Sequence, residues 1–371
     1  LPAWSVNVVT DHPDNPSLLF VGTEVGVWAS LDRGDYWFPL DEGMPTVPVD
    51  DILVHPREGD LVAGTHGRGI WILDDAGALA ALTPEVVSAQ ARLLPARPAR
   101  LAHLHGMMGS AEPAAYAAPN PPDGALLRYW IGQGGGSDSV SLEVSDDGGR
   151  TVRTLSGPGT PGLHQVVWDL RWAPVEEEGE GGGGEPGPAV MPGRYSVLLE
   201  AGGAVEGRTA EVAVGSDPRV EVARADLEAR QELLMDWYGI AGAVRGAVER
   251  ANTLTAWLRD TEARLADAGD AGQASLRDDV RGVRARADSV AGVLSGDVAR
   301  RGAGVAGEVE GVTAAPTEDQ RWVMDRVLEE APAAVRSLNR LLTEAVPRLR
   351  ERLRDAGVGP LDLTPLPVPG G

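Results

Sequence analysis

The residues best placed to do chemistry sit in a glycine-rich turn, Gly64-Thr65-His66-Gly67-Arg68-Gly69, between two apolar runs. Arg68 carries a planar fork of donors that matches a carboxylate in two parallel bonds. His66 beside it can donate or accept near neutral pH. Glu24 occupies the matching turn of an earlier, similar stretch, Gly22-Thr23-Glu24-Val25-Gly26. One reading makes Glu24, His66 and Arg68 ligand contacts, with Arg68 clamping a carboxylate. The other has Arg68 and His66 tie neighbouring elements together through backbone carbonyls. Trp168-Asp169-Leu170-Arg171-Trp172 could form an aromatic platform for a sugar, yet alternating Trp and Leu is also what a core strand of a sandwich shows. Glu176, Glu177, Glu178 and Glu180 crowd together, but the surrounding glycines leave them unheld, which favours a solvated loop over a cation site. No metal-ligand set emerges, and no cofactor is implied.

The excluded chemistry narrows the field further. The chain has no cysteine, so disulfides, thiolate metal sites and thiol nucleophiles are ruled out. Neither a G-x-S-x-G elbow nor an H-E-x-x-H helix occurs, which leaves no support for a hydrolase triad or a zinc protease site. A net charge of −22 over 371 residues argues against nucleic acid and anionic membrane surfaces as partners. No apolar run approaches the length that spans a bilayer.

The two turns belong to a repeat. Gly22 to Gly64 is 42 residues and Trp28 to Trp71 is 43, and each copy is preceded by a His-Pro pair, His12-Pro13 and His55-Pro56. A period of roughly 40–50 residues with several short strands per copy points to β-propeller blades. In the first copy, strands are expected at Ser5–Thr10, Leu18–Thr23, Gly26–Ser30 and Trp37–Leu40, with Asp11–Pro16 as a turn. Between the last two strands, Ser30, Asp32, Gly34 and Trp37 complete the pattern S-x-D-x-G-x-x-W, the Asp box. There Asp32 would accept backbone N–H groups, Gly34 take a positive φ and Trp37 plug the space beneath. The second copy ends Leu73-Asp74-Asp75-Ala76-Gly77 without the Trp, so its box is lost. Two copies cannot close a ring, and the chain opens at Leu1 directly inside a repeat. It therefore reads as the C-terminal part of a longer protein.

Five segments follow from the pattern: propeller blades over 1–83, a linker over 84–119, an Ig-like β-sandwich over 120–216, a helical domain over 217–357 and a Pro-rich extended tail over 358–371. The linker holds His103 and His105 and a strand near Ala91–Leu94. Asn120-Pro121-Pro122-Asp123-Gly124-Ala125 opens the sandwich as a turn. Its strands are expected at Leu126–Ile131, Ser139–Val144, Arg153–Leu155, Gln165–Asp169, Tyr195–Glu200 and Thr209–Val214. Ser145-Asp146-Asp147-Gly148-Gly149 reads as a hairpin turn that Asp147 would stabilise, and Glu176–Pro188 as a mobile insertion. In the helical part, Leu234, Trp237, Ala241, Val244, Val248, Ala251, Thr255, Leu258 and Leu265 form a heptad seam. Leu276, Val280, Val283, Ala287, Val290 and Leu294 repeat it after a Gly269–Gly272 break. A third helix opens on the capping box Thr317–Gln320, is interrupted by Pro332 and Pro347, and ends at Gly357. The fold class expected is thus multidomain β plus α: partial propeller, Ig-like sandwich and an antiparallel helical bundle or arm.

The repeats, above all Thr65-His66-Gly67-Arg68-Gly69-Ile70-Trp71 leading to Asp74-Asp75, resemble the closing blades of bacterial sortilin-like BNR propeller proteins. These are often labelled glycosyl hydrolases, because xyloglucan hydrolases and sialidases share the repeat. Gly162–Arg171, Asp147–Leu155 and Pro192-Gly193-Arg194-Tyr195 are similar to the Ig-like module that follows such propellers, and to that of flagellar hook-capping proteins. The resemblance implies an extracellular or periplasmic protein. It also implies that catalytic carboxylates, or a sialidase arginine triad and tyrosine, would come from several blades, and no residue here matches them. Two functions follow. One is a non-catalytic binding or scaffold region for a glycan or protein ligand. The other is part of a glycoside hydrolase whose catalytic residues lie on upstream blades. The oligomeric state is left open.

Overall fold

The computed structural model describes residues 1, 3–40, 43–101, 122–134, 138–175, 185–201, 209–267, 274–354 and 363–369. The chain is a mixture of antiparallel sheets and long helices, divided into two compact units. One comprises Leu1–Leu170 with Pro192–Asp217, the other Arg171–Met191 with Pro218–Gly371. Each is described by itself.

The β unit opens with a four-stranded meander, β1 (Val6–His12), β2 (Asn15–Thr23), β3 (Gly26–Ser30) and β4 (Phe38–Pro39), paired in that order. The second copy of the repeat forms β5 (Val49–Val54), β6 (Leu61–Thr65) and β7 (Ile70–Leu73). Leu18, Phe20, Val27 and Ala29 of the first sheet share one core with Val49, Ile52, Val54, Leu61 and Ala63 of the second. Glycine at position 22 is what lets the sheets close, since a Cβ there would come within 2.7 Å of Val8 and 2.9 Å of Val49. The β1–β2 turn is shorter than Asp11–Pro16. The imidazole Nδ1 of His12 accepts from the Asp14 backbone at 3.2 Å, and Asn15 Oδ1 accepts from Ser17 at 3.0 Å. These side-chain bonds complete the bend within two residues, so Asp11 and His12 stay in the ladder.

Past the 3₁₀ turn Ala76–Ala81 and the short helix α1 (Pro84–Ser88), the stretch expected to be a linker supplies two strands, β8 (Ala91–Leu93) and β9 (Ala99–Leu101). It is part of the β unit because its apolar residues, Ala91, Leu93, Leu94 and Ala99, are buried. The remaining strands are β10 (Ala125–Ile131), β11 (Ser139–Ser145), β12 (Thr151–Pro158), β13 (Gly162–Trp168), β14 (Gly193–Glu200) and β15 (Thr209–Ser216). They form one sheet in the order β13-β10-β8 and another in the order β12-β11-β14-β15-β9, all antiparallel except β15 with β9. Trp168, Tyr129, Leu142 and Leu199 are fully buried, and Trp168 meets Tyr195 edge-on at 5.1 Å. Burial pushes the Tyr129 phenol up to about 12, and its hydroxyl donates to the Pro158 carbonyl at 2.8 Å. His103, His105 and the Asn120-Pro121 half of the opening turn lie outside the described residues.

The helical unit includes Arg171–Met191, which the sequence assigned to the sandwich. Tyr238 donates to the Ala173 carbonyl at 3.0 Å. Glu310 accepts from Arg171 at 2.9 Å and from the Ala189 backbone at 3.1 Å, and those bonds hold the segment to the helices. Most of the acidic insertion, residues 176–184, lies outside the described residues.

The unit is built on α2 (Arg224–Asp267), 44 residues and therefore about 66 Å long at ~1.5 Å per residue. Next come α3 (Ala274–Gly292), a π-helical stretch Val293–Arg300 and α4 (Arg301–Glu310). Then follow α5 (Glu318–Arg340), a π turn Leu341–Ala345 and α6 (Val346–Leu353). Contacts along α2 fix the direction of its neighbour. Leu265 accepts from Arg277, Glu262 from Arg281 and Arg284, and Arg230 donates to Val309 and Glu310. As one number falls the other rises, so the chain folds back antiparallel. Both seams face inward, with Val248 and Val290 at the margin of the core. Thr317 and Gln320 form the reciprocal cap at 3.2 and 3.0 Å.

Pro332 does not interrupt α5. Buried Ala331, Ala334 and Val335 around it hold the helix against a proline cost of about 3 kcal/mol. Before Pro347 the helix instead widens into the π turn, which accommodates a residue that cannot donate. The tail is extended but docked: Asn339 bonds both the Leu366 carbonyl and its N–H, at 2.8 and 3.0 Å, and Leu363, Leu366 and Val368 pack on the bundle. The Gly269–Gly272 break and Gly357 lie outside the described residues.

The tightest approach in the bundle is Gly302 against the indole of Trp237, where a Cβ would come within 2.1 Å of the ring. Gly302→Ala should therefore lower stability by about 1–3 kcal/mol in urea unfolding, the usual cost of overpacking. Adding Trp237→Leu should recover part of that loss, and no recovery would show the strain to be elsewhere.

Candidate functional site

Each copy of the repeat builds its second turn the same way. The Thr23 hydroxyl donates to the Gly26 carbonyl at 2.9 Å, and the Thr65 hydroxyl donates to the Gly69 carbonyl at 2.7 Å. Gly26, Gly67 and Gly69 all take positive φ, which frees the turns from side-chain clashes. Gly22 lies against Val49, and Val49 pairs with Thr65, so the two turns sit at the same end of the packed sheets.

Glu24, His66 and Arg68 are all exposed there. His66 Nδ1 lies 3.1 Å from Asp50 Oδ2, and the Arg68 carbonyl accepts from the Trp71 indole at 3.2 Å. Arg68 thus locks the turn through its backbone, while its guanidinium makes no hydrogen bond or ion pair among the described residues. Among the described residues the Glu24 side chain makes no hydrogen bond or ion pair, and its backbone N–H donates to the Ser5 carbonyl at 3.3 Å. The edge can offer a bidentate cation and an imidazole steadied by a carboxylate, which suits recognition of an anion. Among the described residues, no group of His, Cys, Asp and Glu could hold a metal ion.

Ser30, Asp32, Gly34 and Trp37 come together in the β3–β4 turn. Asp32 Oδ1 accepts from the Tyr36 backbone at 2.9 Å and from Ser30 Oγ at 2.7 Å. Ser30 Oγ accepts from Gly34 N at 2.8 Å, and the Trp37 indole donates to the Gly34 carbonyl at 2.9 Å. Gly34 has φ 97° and Arg33 φ 63°. The Tyr36 and Ser30 bonds hold the Asp32 carboxyl below the usual aspartate range. In the β11–β12 hairpin the turn is held by Asp146 rather than Asp147. Asp146 Oδ1 accepts from Gly148 and Arg150 at 3.0 and 2.9 Å, the first across the two-residue spacing of an Asx turn.

Asp75 stands where the second copy repeats Asp32, four residues beyond the Trp. With Leu73 in place of the serine and Ala80 in place of the Trp, it cannot close the same turn. It turns inward instead, buried and left-handed at φ 52°. Arg128 of β10 pairs with its carboxylate and also donates to the Asp74 carbonyl at 3.1 Å. Arg97 approaches Asp75 at 3.7 Å and Asp60 at 3.4 Å, and the Asp75 N–H donates to Asp60 at 2.7 Å. Burial, with the neighbouring Asp60 charge, pushes the Asp74 carboxyl up. Sequence reading missed Asp60, Arg97 and Arg128. The repeat alignment of Asp75 was the available signal; nothing distinguishes the two arginines from the other 31.

The Trp168–Trp172 stretch is no platform. Trp168, Leu170 and Trp172 are all buried, but only Trp168 is in a strand, as the last residue of β13; Leu170 is left-handed at φ 57° and Trp172 meets Tyr238 of the helical unit at 6.3 Å.

Asp32→Ala should lower the melting temperature at neutral pH. A carboxyl whose folded pKa is depressed stabilises above its unfolded pKa, and that stability is lost as pH falls through the folded value. The gap between wild type and variant should therefore shrink below the ordinary aspartate pKa of about 3.9. For the buried pair, Asp75→Asn keeps a residue that tolerates left-handed φ but strands the Arg128 charge. It should cost about 3–5 kcal/mol in urea unfolding, partly recovered by adding Arg128→Met. Strictly additive losses would show the two side chains to be uncoupled.

No family model matches the chain, and no curated protein matches it. Two crystal structures of the extracellular domain of BT4673 from B. thetaiotaomicron, one assigned to a one-component system and one to a hybrid two-component system, are similar at 11% identity. They cover 58% and 59% of this chain and 26% of the other, with TM-scores of 0.16 and 0.17. The chain thus spans about a quarter of the length of the structures it matches. Among the described residues, no helix is long and apolar enough to cross a membrane.

Proposed function

We propose that this chain is a non-catalytic binding and scaffold region of an exported protein, and that its turn edge recognises a carboxylate on a glycan or protein ligand. In this reading the two repeat sheets are β-propeller blades of the BNR type, closed by an Asp box in the first copy, and β8–β15 form an Ig-like sandwich. The observation that carries the ligand assignment is the exposed Arg68 guanidinium, without an intramolecular partner among the described residues, beside His66 held by Asp50. Arginine at such a position supplies two parallel donors to a carboxylate, and the neighbouring imidazole adds a third contact. Glu24, on the same edge, would reject anions that approach off the Arg68 side.

The test is binding to an array of neutral and carboxylate-bearing oligosaccharides and acidic peptides. Wild type should select carboxylate-bearing members, Arg68→Ala should lose at least about tenfold in affinity, and Arg68→Lys should recover little because it lacks the fork. His66→Ala should lose less. Selection that survives Arg68→Ala would overturn the assignment, and turnover of aryl glycosides by the chain would overturn the non-catalytic reading.

A further inference from the structure

The helical unit holds a groove that its own packing does not fill. It runs between α3 on one side and α5, the π turn and α6 on the other, and encloses about 920 Å³. That is the size of a site for a small organic ligand. From Asp278 to Val290 the α3 wall extends about 18 Å at ~1.5 Å per residue. One end is tied by the pairing of Arg352 on α6 with Asp279 on α3.

Buried Val283, Leu341 and Leu349 form the floor of the groove. Its rim carries exposed arginines from both walls, Arg286 on α3 and Arg340 and Arg348 on the other side. Among the described residues none of these three makes an ion pair. Arg286 donates only to the Gly282 carbonyl of its own helix at 3.4 Å, and Arg340 only to Ser337 Oγ at 3.2 Å. The contact between α2 and α3 is built otherwise, for there Glu262 neutralises both Arg281 and Arg284, at 3.0 and 2.8 Å.

The acid that could neutralise this rim is held away from it. Glu344 stands four residues from both Arg340 and Arg348, the spacing at which Arg284 pairs with Asp288 and Arg326 with Glu330. It lies in the π turn Leu341–Ala345, where the wider helix shifts side chains out of that register, and among the described residues it pairs with neither. The π turn accommodates Pro347, so the separation is built into the backbone. Three guanidiniums without acid partners therefore line one groove of a chain whose net charge is −22.

We propose that this groove binds a small organic ligand carrying several phosphate groups. Each guanidinium fork matches two phosphate oxygens, and a phosphate monoester brings about two negative charges at neutral pH. The hydroxyls of Ser289 and Ser337, also on the walls, can donate to the remaining oxygens. Single ion pairs at exposed positions contribute little, so a ligand must meet several of the arginines at once, which requires several anionic groups on one frame. The negative charge of the whole chain repels a long polyanion wherever it leaves the groove, whereas salt screens a compact ligand from charges more than about 8 Å away. The site belongs to the helical unit alone and does not rest on carboxylate recognition by Arg68.

The experiment is isothermal titration calorimetry on the whole chain, with myo-inositol hexakisphosphate and inorganic triphosphate as probes and citrate and orthophosphate for comparison. Both multiphosphate probes should bind one per chain and weaken as salt rises, and the comparison anions should bind far more weakly. Arg286→Gln and Arg348→Gln change exposed positions and should keep the wild-type melting temperature. Each should lower affinity about tenfold, the loss of one charge-assisted contact. Glu344→Gln should raise affinity, a gain that a structural role would not produce. Arg321→Gln, exposed on α5 outside the groove, should change nothing. A wild-type chain that binds neither probe would overturn the proposal. So would citrate binding as tightly as the probes, or affinity unchanged in both groove variants. A loss that instead follows Arg68→Ala would also overturn it, by moving the anion to the turn edge.

Discussion

The β unit depends on a carboxylate taken out of water. Asp75 and Arg128 are both buried, one at the end of β7 and one on β10, so their pairing joins the repeat sheets to the strands that follow. Neither charge can be left alone in that setting without a penalty of several kcal/mol, which makes the two segments interdependent. Asp60 and Arg97 extend the constraint by satisfying the Asp75 N–H and sharing its second oxygen. This arrangement has a history in the repeat. The same position in the first copy, Asp32, closes a surface turn with Ser30 and Trp37. When the serine and the Trp are replaced, the carboxylate is released from the turn and becomes available to a different partner.

The helical unit rests on a different constraint, close approach between backbones. Gly302 under Trp237, and Ala241, Ala247 and Ala251 along α2, keep the facing helices near enough for two apolar clusters to form along the rod. Polar groups confirm the alignment rather than create it. Arg230 is buried, its guanidinium pKa depressed by desolvation and supported by Glu310, and it donates to the last carbonyls of α4, which have no partner within their own helix. The docked tail, held by both hydrogen bonds of Asn339, packs on the cluster that contains Ala247, Ala251 and Leu338.

The exposed turn edge of the β unit sets solvent-facing side chains on a fixed backbone. Its rigid parts are the glycines, the Thr65 hydroxyl and the Trp71 indole, all of which bind backbone and fix the turn. The groups left facing solvent are the Arg68 guanidinium, the His66 imidazole steadied by Asp50, and the Glu24 carboxylate.

Local spacing carried a good share of this in the amino-acid sequence alone. The repeat, the four residues of the Asp32 turn, both heptad seams and the Thr317 cap were legible there, because turns, caps and amphipathic faces are set by residues within a few positions of one another. What escaped was everything decided by distant partners. Residues 91–101 look like a linker until their apolar residues meet β10 and β15. Arg171–Met191 looks like sandwich until Glu310 and Tyr238 claim it. Pro332 looks like a helix end until core packing outweighs it. Asp75 looks like the remnant of a lost turn. Its role depends on Arg128, 53 residues away, and no local pattern marks which arginine will be buried beside it. Short-range geometry can be read from a chain, whereas the pairing of buried charges and the ownership of a strand are settled only when the chain closes on itself.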